Sequence, residues 1–168
     1  MKIILINHAE RERHPDPQTD KQLDPSQPLK QKGVEQAQEL AERLRKVKPT
    51  LYLTSKNLHA KQTAEVVCEA LGGDKSKDVV LIDALTPNDA TETFDQIIEQ
   101  AELAGRNPGS HDVVAVVGHY PRLNQLFAYL TGQITAANRL DKAEEVCLTA
   151  NSLNDFRQGN GEGKWPSA

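Results

Sequence analysis

The stretch Lys2-Ile3-Ile4-Leu5-Ile6-Asn7-His8-Ala9-Glu10 decides how the rest of the chain is read. Four apolar side chains in a row, without polar alternation, form the pattern of a short strand buried on both faces. The run stops at Asn7-His8, two polar side chains set where the strand must end. Similar runs follow at Leu51 to Leu53, Val79 to Ile82, Val113 to Val117 and Val146 to Thr149. Helical patterns alternate with them. Val34, Ala37, Leu40, Ala41 and Leu44 recur at i, i+3, i+4 spacing, as do Phe94, Ile97, Ile98 and Ala101. Gly72-Gly73, Gly105 and Gly132 stand where helix C-terminal glycines belong, and Pro87-Asn88-Asp89 opens a helix with a proline and an acidic first turn. Strand and helix in alternation predict an α/β fold, a three-layer α/β/α sandwich around a mostly parallel sheet.

The rest of the sequence bounds that reading. A chain of 168 residues is read as one domain over 1–158, followed by a glycine-rich tail over 159–168 that is expected to fray apart from a docking role for Trp165. From Glu10 to Lys32 the sequence is polar and carries Pro15, Pro17, Pro25 and Pro28, a long surface loop of the kind that persists when it is functional or mobile. Twenty Lys+Arg against 24 Asp+Glu give a net charge of −4, which excludes a protein built to coat nucleic acid. Any anion is therefore met locally, by a few residues. Cys68 and Cys147 make neither a C-x-x-C pair nor a disulfide framework and read as small buried hydrophobes. The N-terminal apolar run is too short for a membrane span or a signal segment, so a soluble, cytoplasmic protein is expected.

In an open α/β sheet the ligand crevice lies outside the carboxyl ends of the parallel strands. The polar residues that fall there are Asn7-His8 after the first strand, Thr54-Ser55 and then His59 after the second, Asp83 to Thr86 after the third, and Gly118-His119 after the fourth. His8 and His119, each directly ending an apolar strand, are rigidly held and aimed into the crevice, the placement that a nucleophile or an acid requires. The glycine-rich and nucleophile-elbow motifs of dinucleotide, P-loop and serine-hydrolase sites do not occur. His8 with Glu10, or His111 with Asp112, matches no metal-ligand spacing, and neither a metal nor a cofactor is expected.

Four ordered segments resemble the histidine phosphatase superfamily, the phosphoglycerate-mutase-like fold, and within it the small SixA-type phosphohistidine phosphatases. Ile4-Leu5-Ile6-Asn7-His8-Ala9-Glu10 is similar to that family's strand followed by Arg-His-Gly-Glu. Pro28-Leu29-Lys30-Gln31-Lys32-Gly33-Val34-Glu35-Gln36-Ala37 resembles its PLT-x-x-G-x-x-QA segment. Leu53-Thr54-Ser55-Lys56-Asn57-Leu58-His59-Ala60-Lys61-Gln62-Thr63-Ala64 resembles TSP-x-x-RA-x-QTA, and Val117-Gly118-His119-Tyr120-Pro121 resembles VGH-x-P. The resemblance implies a nucleophilic His8 that is transiently phosphorylated and an electrostatic partner in His119. By position it places Asn7 and His59 at the phosphate, and the candidate phosphate-binding set is Asn7, Ser55, His59, Tyr120 and Arg11.

The departures matter as much as the matches. Where the family carries two clamp arginines this chain has Asn7 and His59, and the place near Ala84 where some relatives carry an acidic proton donor is apolar; the neighbouring Asp83 points the other way. Arginine offers a permanently charged fork, Asn only neutral donors, and His at most one charge. Three repairs are open: Arg11 and Arg13 folding back over the phosphate, a protonated His59 reinforcing the N-terminal dipole of its helix, or backbone N–H groups such as that of Tyr120. If His59 carries the charge, activity is expected to rise below the imidazole's unperturbed pKa of about 6.5. The expected function is hydrolysis of phosphohistidine or of a phosphomonoester through His8. The alternative is a degenerate relative that binds a phosphorylated or anionic partner without turnover. Expected partners are a phosphorylated protein or a small phosphorylated substrate, with no nucleic acid and no membrane.

Overall fold

A computed structural model of the chain describes residues 1–13, 15, 25–83, 89–106, 112–133 and 140–165. The elements run β1 (Lys2–Asn7), α1 (Gln31–Leu44), β2 (Leu51–Thr54), α2 (Leu58–Ala70), α3 (Lys75–Asp78), β3 (Val79–Leu81), α4 (Ala90–Leu103), β4 (Val113–Gly118), α5 (Arg122–Thr131), β5 (Glu145–Thr149) and α6 (Leu153–Arg157). Sheet order is β3-β2-β4-β1-β5, parallel except for β5, which pairs antiparallel with β1. Each apolar run of the sequence is thus a strand, and the three-layer, mostly parallel α/β sandwich is the fold.

Burial follows strand position. β1, β2 and β4 are central and buried almost throughout, with Ile3 to Ile6 and Val114 to Val117 at 0% exposure. β3 is an edge strand, and its three side chains are partly or fully exposed. β5 lies at the other edge and alternates buried and exposed positions, which puts Cys147 in solvent. The expectation of a buried Cys147 fails because an antiparallel edge strand covers only one of its faces.

Successive side chains of the central strands feed two cores. Ile3, Leu5, Leu53, Val114 and Val116 pack with Phe94, Ile97 and Phe127 of α4 and α5. On the other face, Ile4, Ile6, Tyr52, Ala115 and Val117 pack with Ala37, Leu40, Ala64 and Val67 of α1 and α2. The helical stripes read from the sequence are the buried stripes here: Ala37, Leu40, Ala41 and Leu44 in α1, and Phe94, Ile97, Ile98 and Ala101 in α4. Asp89 caps α4, its side chain accepting from the Thr91 N–H at 2.8 Å; Pro87 and Asn88 lie outside the described residues. Gly132 ends α5 in the left-handed region at φ 65°, where a β-carbon would be strained.

The tail does not fray over the described residues 159–165. The Gly161 N–H donates to Leu130 O at 2.9 Å, Glu162 bridges to Thr149, and the Trp165 ring stands 4.9 Å from that of Phe127. Glycine there serves close packing: a β-carbon on Gly161 would come within 2.5 Å of Leu130 O. Of the proline-rich loop, the Arg11 and Leu29 regions pair as a short antiparallel bridge, while Pro17 lies outside the described residues. Among the described residues, no helix is long and apolar enough to cross a membrane.

Candidate active site

The parallel strands β1, β2 and β4 end side by side, with Asn7 opposite Gly118 and Thr54 opposite Val117. His8, Ser55 and His119 therefore leave the sheet at one edge, and the first turn of α2 brings His59 to the same place. The His8 and His59 rings lie 4.3 Å apart between centroids. His8 is 1% exposed and His59 is 0%, so burial is the first force acting on both.

The segment after β1 is held by side chains from the two helices behind it. The Ala9 N–H donates to Thr63 Oγ1 at 3.0 Å, and Thr63 Oγ1 in turn donates to His59 O at 2.7 Å. The Glu10 N–H donates to Gln36 Oε1 at 2.9 Å, and the Leu29 N–H to Gln62 Oε1 at 2.7 Å. Gly33 admits this loop: a β-carbon there would fall 2.1 Å from Glu10 O. The Gln, Thr and Gly of the quoted segments are thus scaffold for the loop that follows His8. Glu10 itself pairs with Lys30 at 3.3 Å and Lys32 at 3.2 Å, whose hydrogen bonds hold its carboxyl below the usual range.

Hydrogen bonding sets the tautomers. His8 Nδ1 lies 2.8 Å from Ala9 O, which only accepts, so Nδ1 carries the hydrogen and Nε2 presents a lone pair. That lone pair faces Lys142 Nζ at 3.0 Å, so the ammonium donates to it. Burial, then the positive Lys142, push His8 down to about 2. His8 is neutral at any physiological pH. His59 Nδ1 likewise donates to Gln27 O at 3.2 Å, and burial pushes its pKa to about 4. The expected gain of charge on His59 near pH 6.5 is therefore absent: desolvation outweighs every cationic benefit, and Arg11, Lys142 and His119 also act against protonation. His119 is lowered too, by burial first and then by Lys142 and Arg122.

The residues expected at the site divide as follows. His8, His59 and His119 come together closely enough to perturb one another's charge. Among the described residues, Ser55 Oγ, His59 Nε2 and His119 Nδ1 are buried there without a hydrogen-bond partner; the Ser55 hydroxyl can donate to an oxygen of a bound group, whereas neutral His59, with its hydrogen on Nδ1, presents only a lone pair at Nε2. Arg11 is within electrostatic reach of His59 and donates through Nη1 to Glu12 O at 2.9 Å. Tyr120 stands at the rim, 36% exposed. Asn7 differs from expectation: its amide donates to Leu140 O at 2.7 Å and Asp141 O at 3.2 Å, so both hydrogens go to backbone carbonyls and none is left for an anion. Asp83 pairs with Lys56 at 2.5 Å on the surface, while Ala84, Thr86 and His111 lie outside the described residues. Among those described, no group of three or more His, Cys, Asp or Glu is arranged to hold a metal.

Lys142 was missed. It lies 134 residues from His8 in a polar stretch that nothing marks as functional, and no local pattern would have selected it.

A family model described as "Histidine phosphatase superfamily (branch 1)" matches residues 3–103, more than half of the chain. The chain belongs to the histidine phosphatase superfamily. The match takes in His8, Ser55 and His59 and stops short of His119 and Lys142. Among solved structures, the protein histidine phosphatase SixA complexed with tungstate is 22% identical with a TM-score of 0.72, over 98% of this chain and 95% of that one. The mycobacterial glucosyl-3-phosphoglycerate phosphatase complexed with inorganic phosphate is 18% identical with a TM-score of 0.69, over 99% and 97% of the two chains. At these identities the likeness is one of fold. No curated protein sequence matches the chain.

Proposed function

We propose that this member of the superfamily is a phosphatase that uses His8 Nε2 as its nucleophile, with phosphohistidine on a protein, or a phosphomonoester, as substrate. The observation that carries the reading is the Nδ1–H of His8 on Ala9 O at 2.8 Å, because it fixes the tautomer in which Nε2 carries the lone pair at the carboxyl end of β1. In the first step Nε2 forms a bond to phosphorus while the bond from phosphorus to the leaving group breaks, the electron pair departing with that group. In the second, water attacks phosphorus and the N–P bond breaks, returning His8. Over both steps one water is consumed, its hydroxyl ending on phosphate and its other hydrogen on the leaving group. In-line placement and charge on the equatorial oxygens govern such a transfer. His119, whose buried Nδ1 has no partner among the described residues, and the Ser55 hydroxyl are the neutral groups suited to those oxygens.

The likeness in fold to the protein histidine phosphatase SixA supports phosphohistidine protein as the substrate, and that to the glucosyl-3-phosphoglycerate phosphatase supports a phosphomonoester. One observation favours the second reading, an anion binder without turnover: Lys142 occupies the lone pair that must attack. The test is to incubate the protein and its His8→Ala variant with a phosphohistidine protein and with a generic phosphomonoester. Wild type is expected to release phosphate and to trap an acid-labile phosphoryl group, both lost in the variant. Turnover that survives His8→Ala overturns the role of His8; phosphate binding with no turnover in wild type establishes the binder.

A further inference from the structure

Phosphoryl transfer needs fixed positive charge beside the nucleophile, and the positions expected to supply it hold a buried neutral His59 and an Asn7 turned elsewhere. Where Asn7 does turn is informative. Its amide donates to Leu140 O and Asp141 O, its N–H donates to Glu144 O at 3.0 Å, and its carbonyl accepts from the Ala143 N–H at 3.2 Å. Every hydrogen-bonding group of Asn7 that these contacts use thus grips one turn, residues 140–144, ahead of β5. The same turn is braced from α1, where Arg43 Nη2 donates to Ala143 O at 2.6 Å and meets Glu145 at 2.8 Å. It closes on itself through the Glu144 N–H on Asp141 O at 3.0 Å. Ala143 is held in the left-handed region at φ 56° while 3% exposed, a conformation a β-carbon disfavours and that persists only when its surroundings enforce it. All this fixes the position of one side chain between Asp141 and Ala143: Lys142, whose Nζ lies 3.0 Å from His8 Nε2.

We propose that Lys142 is the cation that binds the transferred phosphoryl group, and that Asn7 is a positioning residue holding the Lys142 turn against the nucleophile. The proposal rests on the phosphoryl-transfer reading above and names the group that reading lacks. An ammonium has three rotatable donors on a flexible stem. In this structure one donor rests on the His8 lone pair. When phosphorus approaches within about 3–3.5 Å for in-line attack, the ammonium yields that lone pair and turns to an equatorial oxygen beside it. Asn7 thus brings to the phosphate a charge that it does not itself carry.

The test compares wild type, Lys142→Ala, Lys142→Arg, Asn7→Ala and the double variant Asn7→Ala/Lys142→Ala, by kcat/KM on the phosphohistidine protein and by calorimetric affinity for inorganic phosphate. Lys142→Ala is expected to lose about 10²–10³-fold in kcat/KM and to weaken phosphate binding, with Lys142→Arg retaining most of both. Added methylammonium is expected to restore part of the Lys142→Ala rate, which a merely structural lysine would not allow. Asn7→Ala is expected to be impaired alone yet to cost nothing further when Lys142 is already Ala. If Lys142→Ala stays within about twofold of wild type in both measurements while His8→Ala is inactive, the proposal is overturned and the phosphatase reading stands. If wild type shows no turnover, the phosphatase reading falls, and phosphate affinity unchanged by Lys142→Ala then sinks the proposal too. Should Asn7→Ala fail to fold, the Lys142 variants decide, since they alter an exposed side chain.

Discussion

Two regions meet at His8, and they are built in different ways. Behind it, α1 and α2 hold the loop after β1 through Gly33, Gln36, Gln62 and Thr63, residues at fixed offsets within two short segments. In front of it, the turn at 140–144 carries Lys142 and is gripped by Asn7 and Arg43, partners 100 or more residues away in sequence. The rear region is scaffold and supplies shape; the front region supplies charge. Backbone placement beside His8 is thus set by a local pattern, whereas Lys142 is delivered by a turn distant along the chain whose tip reaches His8.

The contrast is broken most severely at Gly33. A β-carbon 2.1 Å from Glu10 O forces α1 away from the loop, so Gly33→Ala is expected to lower stability by about 1–3 kcal/mol or more in denaturant unfolding, together with activity. Thr63→Val keeps the volume but leaves the buried Ala9 N–H without its acceptor; a loss of about 1–3 kcal/mol is expected in the same measurement. If either variant were as stable as wild type, the helices would not be holding the loop. The front region is predicted to respond in the opposite sense. Arg43 makes a half-exposed ion pair with Glu145, so Arg43→Ala is expected to cost at most about 1 kcal/mol of stability while reducing kcat/KM more than stability, because Ala143 O loses its brace. Equal loss of stability and activity would make that brace merely structural.

The smallest effect expected is a null one. Burial holds His59 neutral to about 4, so its charged form is scarce above that pH and grows only as pH falls toward it. The activity ratio of wild type to His59→Gln is therefore expected to stay constant from about pH 5 to 8. A ratio that climbs on acidification through about 6.5 would show that bound phosphate overcomes desolvation and makes His59 a cation after all.

Much of this was legible in the sequence. Uninterrupted apolar runs give β1, β2 and β4 because strands buried on both faces leave no room for polar alternation, while the edge strands β3 and β5 leave side chains partly or fully exposed because water covers part of them. His8 and His119 were legible because they directly end such strands. The chemistry of Asn7 and His59 was not. An amide reads as a donor wherever it stands, and only the 2.7 Å contact to Leu140 O tells that its hydrogens are spent. An imidazole reads as a charge available near neutrality until burial removes it. Cys147 was misjudged for the same reason, since exposure depends on which face of a strand is covered.

By itself, then, the sequence determined the order of strands and helices along the chain and the histidines at the carboxyl ends of the strands. These follow from periodicity and chain direction, which are local. Tertiary structure alone decided which tautomer His8 adopts, that His59 is uncharged, and that Lys142 faces His8. Charge and proton position depend on desolvation and on neighbours distant along the chain, and no local pattern encodes which neighbours folding brings together.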